Sequence, residues 1–112
     1  MAAINKPLST RNNANRNKHN QIRCMQINLQ HSRVATANLM QLTEEESIDI
    51  LSIQELYIIQ NKVNGIPHKY RTYTIPNTQS RAAIVIANKQ IDALLLKQLS
   101  ETDAVVVEIS TN

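Results

Sequence analysis

Asn28 and Glu55 have the side-chain types and the spacing of half a phosphodiester-cleaving site. A carboxylate is a hard oxygen ligand suited to Mg²⁺, which takes only one or two protein carboxylates and keeps several waters. An amide can hydrogen-bond a phosphate oxygen or orient a second carboxylate. On spacing alone, the more common interpretation is a surface glutamate after a strand and an asparagine that turns the chain. The residues alone leave both interpretations open.

The elements around these two residues are predicted to bring them together. Residues 22–29 and 48–53 are short, apolar-rich runs typical of buried strands. Between them, Ala35, Leu39 and Leu42 recur at helical spacing through about residue 46, and Ser32 is a plausible N-cap. Strand, helix and strand form a βαβ unit with parallel strands. The carboxyl ends of both strands therefore meet at one sheet edge, about 4.8 Å apart, where open α/β folds bind ligands.

The rest of the chain predicts more strands and one long connection. Residues 56–69 read as a polar loop containing Gly65 and Pro67, and a turn is expected around residues 76–78. Further strands are predicted at residues 70–75, 83–87, 91–96 and 104–109. One helix cannot cover both faces of such a sheet, so either other chains or further sequence of this chain is expected to cover the second face. The single glycine of the chain also indicates part of a larger fold, because tight turns normally use glycine.

Charge is concentrated at the amino terminus. The chain carries a net charge of +3, and its first 23 residues contain five basic and no acidic side chains. Residues 1–20 are polar and predict a disordered basic arm. Such an arm fits a polyanionic partner through counterion release, although many basic tails have no such role. The three glutamates at positions 44–46 are interpreted as a solvated helix end.

Cys24 is the single cysteine, so no internal disulfide can form, and its apolar surroundings predict a small buried side chain. A reducing compartment fits this usage best. No apolar run is long enough to span a membrane, and the polar amino terminus has no signal-peptide core. The sequence therefore predicts an intracellular protein without a membrane partner.

Three segments, in order, resemble the motifs of retrotransposon endonuclease domains. QINLQHSR at 26–33, followed by ATANL at 35–39, resembles the opening motif, DILSIQE at 49–55 the second, and SRAAIVI at 80–86 the next. Gly65-Ile66-Pro67 and Tyr70-Arg71 also match between the second and third. The resemblance covers about residues 22–110. It is to the apurinic/apyrimidinic-endonuclease-like branch of the endonuclease/exonuclease/phosphatase superfamily, in particular to jockey-type non-LTR elements of arthropods.

The resemblance implies a fold, a site and partners. The fold would be α/β: the N-terminal half of a four-layer sandwich over residues 21–112, with a βαβ start and then antiparallel strands. Asn28 and Glu55 would be catalytic, Glu55 would bind the divalent metal, Mg²⁺, and Arg81 would face the substrate or lie on the surface. The intact protein would nick DNA to expose a 3′-hydroxyl that primes reverse transcription. Its partners would be DNA and the rest of a polyprotein that includes an RNA-directed DNA polymerase, and it would act in the nucleus, with the cytoplasm as the alternative.

Two departures from the family pattern leave activity open. Leu56 stands where the family usually has proline, which is expected to loosen the turn that carries Glu55. The chain also ends at Asn112, before the family's downstream Tyr, its Asp-x-Asn motif and its final histidine, the usual general base. His31, after the first strand, is expected to be structural or exposed rather than a substitute. The alternative is therefore a non-enzymatic remnant that binds nucleic acid weakly; a superfamily phosphatase is a third interpretation.

Overall fold

A computed structural model describes residues 21–75, 81–100 and 104–111 of the chain. One long helix, eight strands and a short 3₁₀ helix follow each other through these residues. The predicted arm over residues 1–20 and the turn at 76–78 lie outside them. In chain order the elements are β1 (Cys24–Asn28), α1 (Arg33–Glu45), β2 (Ile50–Gln54), β3 (Ile58–Ile59), β4 (Lys62–Val63), β5 (Arg71–Tyr73), β6 (Ala82–Ile86), β7 (Ile91–Leu95), the 3₁₀ helix (Lys97–Leu99) and β8 (Val107–Thr111).

A four-stranded sheet in the order β1-β2-β6-β5 forms the centre of the fold. Strands β1 and β2 pair in parallel, with Cys24 opposite Ile50 and Asn28 opposite Gln54. Strand β6 pairs antiparallel with β2 on one side and with β5 on the other. The predicted α/β class, with a βαβ start and then antiparallel strands, is confirmed.

The helix α1 covers one face of this sheet. It begins after Ser32, whose Oγ accepts a hydrogen bond from the Ala35 N–H at 3.0 Å, as expected of an N-cap. Leu39 and Met40 are its buried apolar residues. Alternate strand residues meet this face because side chains along a strand point to opposite sides. The resulting core is Met25, Leu29, Leu39, Met40, Ile48, Leu51, Ile53, Leu56, Tyr70, Ala83 and Val85.

The second face of the sheet is covered in part by the antiparallel hairpin β7–β8. Ile91 at the start of β7 packs with Ile50 and Ile86, which point away from the helix. One helix is therefore insufficient, as expected, but within the described residues this chain's own hairpin supplies part of the cover that was expected from other chains or further sequence. Leu94 of the same hairpin is exposed over 59% of its surface. The cover on this face is thinner than on the helix face.

The connection between β2 and β5 is more structured than predicted. The loop expected over residues 56–69 contains the small hairpin β3–β4, whose two turn residues, Gln60 and Asn61, both have φ near +60°. Gly65 follows with φ +87°, and a Cβ there would lie 2.8 Å from the Thr36 side chain. The hairpin is therefore held against the first turn of the helix, a contact that depends on tertiary packing and not on local sequence.

Three further expectations were wrong. Cys24 is exposed, since β1 turns that side chain away from the core. The last predicted strand begins at Val107 and not at residue 104. The acidic helix end is not simply solvated: Glu46 is buried, and Glu44 lies 2.9 Å from the Lys69 ammonium and also accepts from the Tyr70 hydroxyl. Within the described ranges, no helix is long and apolar enough to cross a membrane.

Candidate active site

Asn28 and Glu55 lie side by side at the carboxyl edge of the two parallel strands. Asn28 is the last residue of β1, and Glu55 follows directly after β2. The Leu29 N–H donates to the Gln54 carbonyl at 2.9 Å, so strand pairing continues up to this point. The two side chains therefore meet because the strands run in parallel and in register, as the βαβ pattern predicts.

The Asn28 amide is held in one orientation. Its Nδ2 donates to Glu55 Oε2 at 2.5 Å, and its Oδ1 accepts from the Gln30 N–H at 2.8 Å. A carboxylate only accepts and a main-chain N–H only donates, which fixes which end of the amide faces which partner. Asn28 thus orients the carboxylate of Glu55.

The backbone of Glu55 is restrained on both sides. Its N–H donates to the Arg81 carbonyl at 2.8 Å, and its own carbonyl accepts from the His31 N–H at 2.9 Å. Its φ of +51° lies in the left-handed region, which an ordinary side chain occupies only where its surroundings impose it. The next residue, Leu56, is fully buried in the core. Leu56 therefore anchors the turn in the core, and the loosening expected from the missing proline stays a prediction.

His31 is exposed, as expected, but it also lies beside Glu55, a contact that the sequence did not predict. Its Nδ1 lies 2.7 Å from the Leu56 carbonyl, and its Nε2 lies 3.7 Å from Glu55 Oε1. The side chains of both His31 and Glu55 are partly exposed, at 60% and 44%. One signal was available in the sequence: residues just beyond two parallel strands share an edge, and His31 is three residues beyond Asn28.

Arg81 lies next to this cluster through its main chain. It comes directly before β6, opposite Glu55, and it is exposed. Its contact with substrate remains a prediction. No group of three or more His, Cys, Asp or Glu side chains with metal-binding geometry occurs among residues 21–75, 81–100 and 104–111. The arrangement can present one carboxylate, one amide and one imidazole to a ligand at the sheet edge.

The amino-terminal edge of the same strands has a separate polar groove of about 540 Å³. Asp49 is buried there; its Oδ2 accepts from the Arg23 N–H at 2.8 Å and its Oδ1 from Asn88 Nδ2 at 3.1 Å. On the rim, hydrogen bonds from Tyr70 and then Lys69 lower the pKa of Glu44. Burial and the bond to Glu44 raise the pKa of Tyr70. These partners already join the helix, β2 and the turn before β7, so the groove has a structural role.

Comparison with known proteins identifies a solved structure with a similar fold. No family model and no curated protein matches the chain. Among solved structures, it is similar to the endonuclease domain of TRAS1, a telomere-specific non-LTR retrotransposon, at a TM-score of 0.66 and 28% sequence identity. The similarity covers 81% of this chain and 39% of that one, so the chain spans well under half of the solved domain. The described part of the chain therefore shares the fold of part of that endonuclease domain.

Proposed function

We propose that this chain is the N-terminal part of a Mg²⁺-dependent DNA endonuclease of a jockey-type non-LTR retrotransposon. The observation that carries the proposal is the Asn28–Glu55 hydrogen bond at the carboxyl edge of β1 and β2. A carboxylate oriented by an amide, at the edge where α/β sheets bind ligands, suits a phosphodiester substrate. The likeness to an endonuclease domain is independent support.

The residues of this edge fit a hard divalent ion. Glu55 would hold Mg²⁺ through a carboxylate whose Oε2 is fixed by Asn28 and whose side chain is 44% exposed. A bound Mg²⁺ supplies stabilisation of the charge that develops on the phosphate and the leaving oxygen. Asn28 keeps the carboxylate in one orientation, and Arg81 would pair with a phosphate of the DNA backbone. One protein carboxylate is within the number that Mg²⁺ typically accepts.

The proposal extends to the biological role of the nick. A nick that leaves a 3′-hydroxyl would prime reverse transcription by an RNA-directed DNA polymerase in the same polyprotein, acting in the nucleus. The general base and the remaining metal ligands would come from the sequence that corresponds to the rest of the solved endonuclease domain, of which the similarity covers 39%.

The test is a nicking assay on supercoiled plasmid, with the chain as it stands and with the whole polypeptide of the reading frame that contains it. We expect the longer polypeptide to convert supercoiled to open-circular DNA with Mg²⁺ and not with EDTA. Glu55→Gln should slow that conversion by at least about a hundredfold, the usual cost of removing a charge-stabilising group. Lys89→Gln, a change of an exposed charge in the turn before β7, should leave it unaltered.

A second outcome would favour the non-enzymatic alternative. If neither the wild-type longer polypeptide nor its Glu55→Gln variant nicks the plasmid, the endonuclease proposal fails. DNA binding that persists in that case and weakens steeply with salt would indicate a remnant that binds nucleic acid through charge alone.

A further inference from the structure

The ring of His31 is fixed at its Nδ1 side. The acceptor at 2.7 Å is the main-chain carbonyl of Leu56, so Nδ1 must carry the hydrogen. In the neutral ring the lone pair then lies on Nε2, which points to Glu55 Oε1. An imidazole with one N–H on a backbone carbonyl and the other nitrogen turned to a carboxylate oxygen has the orientation of a metal-binding histidine.

We propose that His31 Nε2 and Glu55 Oε1 together bind one divalent transition-metal ion. The inference rests on the proposed function of Glu55 as a metal ligand and adds a nitrogen donor to it. It also gives the two oxygens of the Glu55 carboxylate different roles: one accepts a hydrogen bond and the other would bind the ion. Oε2 is held by Asn28, and Oε1 faces the imidazole.

The separation of the two atoms supports shared coordination. At 3.7 Å, Nε2 and Oε1 are too far apart for a direct hydrogen bond. With ligand distances of about 2.1 Å, this separation corresponds to an N–metal–O angle of about 125°. A tetrahedral angle needs about 3.4 Å and an octahedral right angle about 3.0 Å at the same ligand distances. One ion could therefore contact both atoms after a small rotation of either exposed side chain.

Ligand chemistry favours a transition metal at this pair. Imidazole nitrogen suits zinc, nickel, iron and copper, whereas Mg²⁺ favours oxygen donors alone. The described residues hold no third His, Cys, Asp or Glu in this cluster, so water, a phosphate oxygen or a ligand from further sequence would complete the coordination. The exposure of both side chains allows this. A site with one His and one Glu would bind Co²⁺ or Zn²⁺ more tightly than Mg²⁺.

The substitution His31→Asn removes the proposed metal ligand but keeps the hydrogen bond that positions the side chain. His31 has φ +56°, and asparagine is among the few residues that tolerate this conformation. The Asn amide can still donate to the Leu56 carbonyl from the place of Nδ1, but it has no atom in the place of Nε2. His68→Asn is the matched control, since His68 is exposed in the loop before β5.

The experiment is a calorimetric titration of the full chain with CoCl₂ and separately with MgCl₂, together with the visible spectrum of bound Co²⁺. We expect His31→Asn to weaken Co²⁺ binding by at least about tenfold, the minimum cost of disturbing a metal–histidine contact. The Co²⁺ absorption should lose intensity, while Mg²⁺ binding and the melting temperature stay near wild type. His68→Asn should change none of these.

Three outcomes would overturn the inference: unchanged Co²⁺ binding in His31→Asn, an equal loss in His68→Asn, or no Co²⁺ binding to wild type. Glu55→Gln separates its failure from that of the proposed function. If Glu55→Gln abolishes Mg²⁺ binding while His31→Asn leaves Co²⁺ binding intact, only the histidine assignment fails. If Glu55→Gln leaves both ions bound, the assignment of Glu55 fails and both proposals fail with it.

Discussion

Asn28 shows why an amide, and not a second acid, suits the position beside Glu55. The 2.5 Å contact between Asn28 Nδ2 and Glu55 Oε2 needs a donor on one side. Two carboxylates at this distance would repel each other unless a proton or a cation lay between them. The amide therefore orients Glu55 without competing for the cation that the carboxylate would hold.

The substitution Asn28→Asp tests this arrangement. We expect it to lower the free energy of unfolding in EDTA by about 1–2 kcal/mol, because one hydrogen bond is lost and two like charges face each other. For a domain of this size each kcal/mol corresponds to about 4–8 °C in Tm. Millimolar Mg²⁺ should return most of the loss, since a cation can bind both carboxylates. Thermal melts with and without Mg²⁺ measure this loss of stability and its recovery.

Asn88→Asp is the control at the opposite sheet edge. Asn88 donates to Asp49 at 3.1 Å, but Asp49 is buried and its other oxygen already accepts from the Arg23 N–H. This variant should also be destabilised, and Mg²⁺ should not restore it. Equal rescue of both variants, or of neither, would contradict a cation site at Glu55.

At the scale of elements, the hairpin β3–β4 and the helix α1 meet at Gly65. The position has φ +87°, and an added Cβ would lie 2.8 Å from Thr36 Cγ2 and 3.8 Å from Tyr57 Cδ2. Thr36 is itself buried and donates through its Oγ1 to the Ser32 carbonyl at 2.7 Å. The single glycine of the chain is therefore placed where both backbone conformation and space require it.

Gly65→Ala is expected to lower the free energy of unfolding by about 2–3 kcal/mol, from strain in φ together with the clash. Adding Thr36→Ser removes Cγ2 and keeps the hydroxyl bonded to Ser32. The double variant should be about 1 kcal/mol more stable than the sum of the two single changes predicts. Urea unfolding of the four proteins measures this coupling. Strict additivity would show that the added methyl group does not clash with Thr36 of the helix. As a control, Asn64→Ala at the exposed neighbouring position should change the free energy of unfolding by less than about 0.5 kcal/mol.

Elements with a clear period could be predicted from the sequence, and the exceptions have physical reasons. The parallel strands, the helix and its Ser32 cap follow from local patterns, and they place Asn28 and Glu55 together. The hairpin β3–β4 could not be predicted because its turn residues, Gln60 and Asn61, adopt positive φ without glycine. The position of His31 beside Glu55 could not be predicted from local patterns, because the Leu56 carbonyl that fixes its ring is brought close only by the fold. The exposure of Cys24 depends on which face of β1 the helix covers.

At the scale of the whole molecule, Tyr70 and Glu44 join the end of α1 to the start of β5. The Tyr70 hydroxyl donates to the Glu44 carboxylate, and Lys69 pairs with the same carboxylate at 2.9 Å. The bonds from Tyr70 and Lys69 lower the pKa of Glu44 below its ordinary 4.5. Burial, with the bond to Glu44, raises the pKa of Tyr70 above its ordinary 10.0. Both shifts couple folding to pH.

The direction of each effect follows from linkage. Glu44 with a lowered pKa stabilises the fold above pH 4.5, and this stabilisation is lost as acid protonates the folded carboxylate. Because its pKa is raised, Tyr70 stabilises the fold below pH 10, and this stabilisation is progressively lost as the pH rises above 10. We expect Tyr70→Phe to remove the alkaline fall in Tm and to reduce the acid fall, since Lys69 still pairs with Glu44. Melts at pH 4, 7 and 10.5 measure both.

Tyr73→Phe is the matched control for this prediction. The Tyr73 hydroxyl donates to the Ala93 carbonyl at 3.4 Å and has no carboxylate partner there. Removing this hydroxyl should lower Tm slightly and by the same amount at every pH. An unchanged alkaline fall in Tyr70→Phe would show that the Tyr70–Glu44 contact does not couple folding to pH.

Gln30, His31 and Glu55, three of the described non-glycine residues with positive φ, all lie at the candidate site. Each such backbone conformation costs on the order of 1 kcal/mol and persists only while its surroundings hold it. Leu29 and Leu56, both almost fully buried, are the neighbours that hold these turns against the core. These turns therefore depend on the packing of Leu29 and Leu56, and we expect them to open locally before the sheet does. On warming, the ion binding proposed for Glu55 should fade several degrees below the temperature at which the fold as a whole unfolds. The temperature range in which this edge could bind an ion would then be narrower than the stability of the fold suggests.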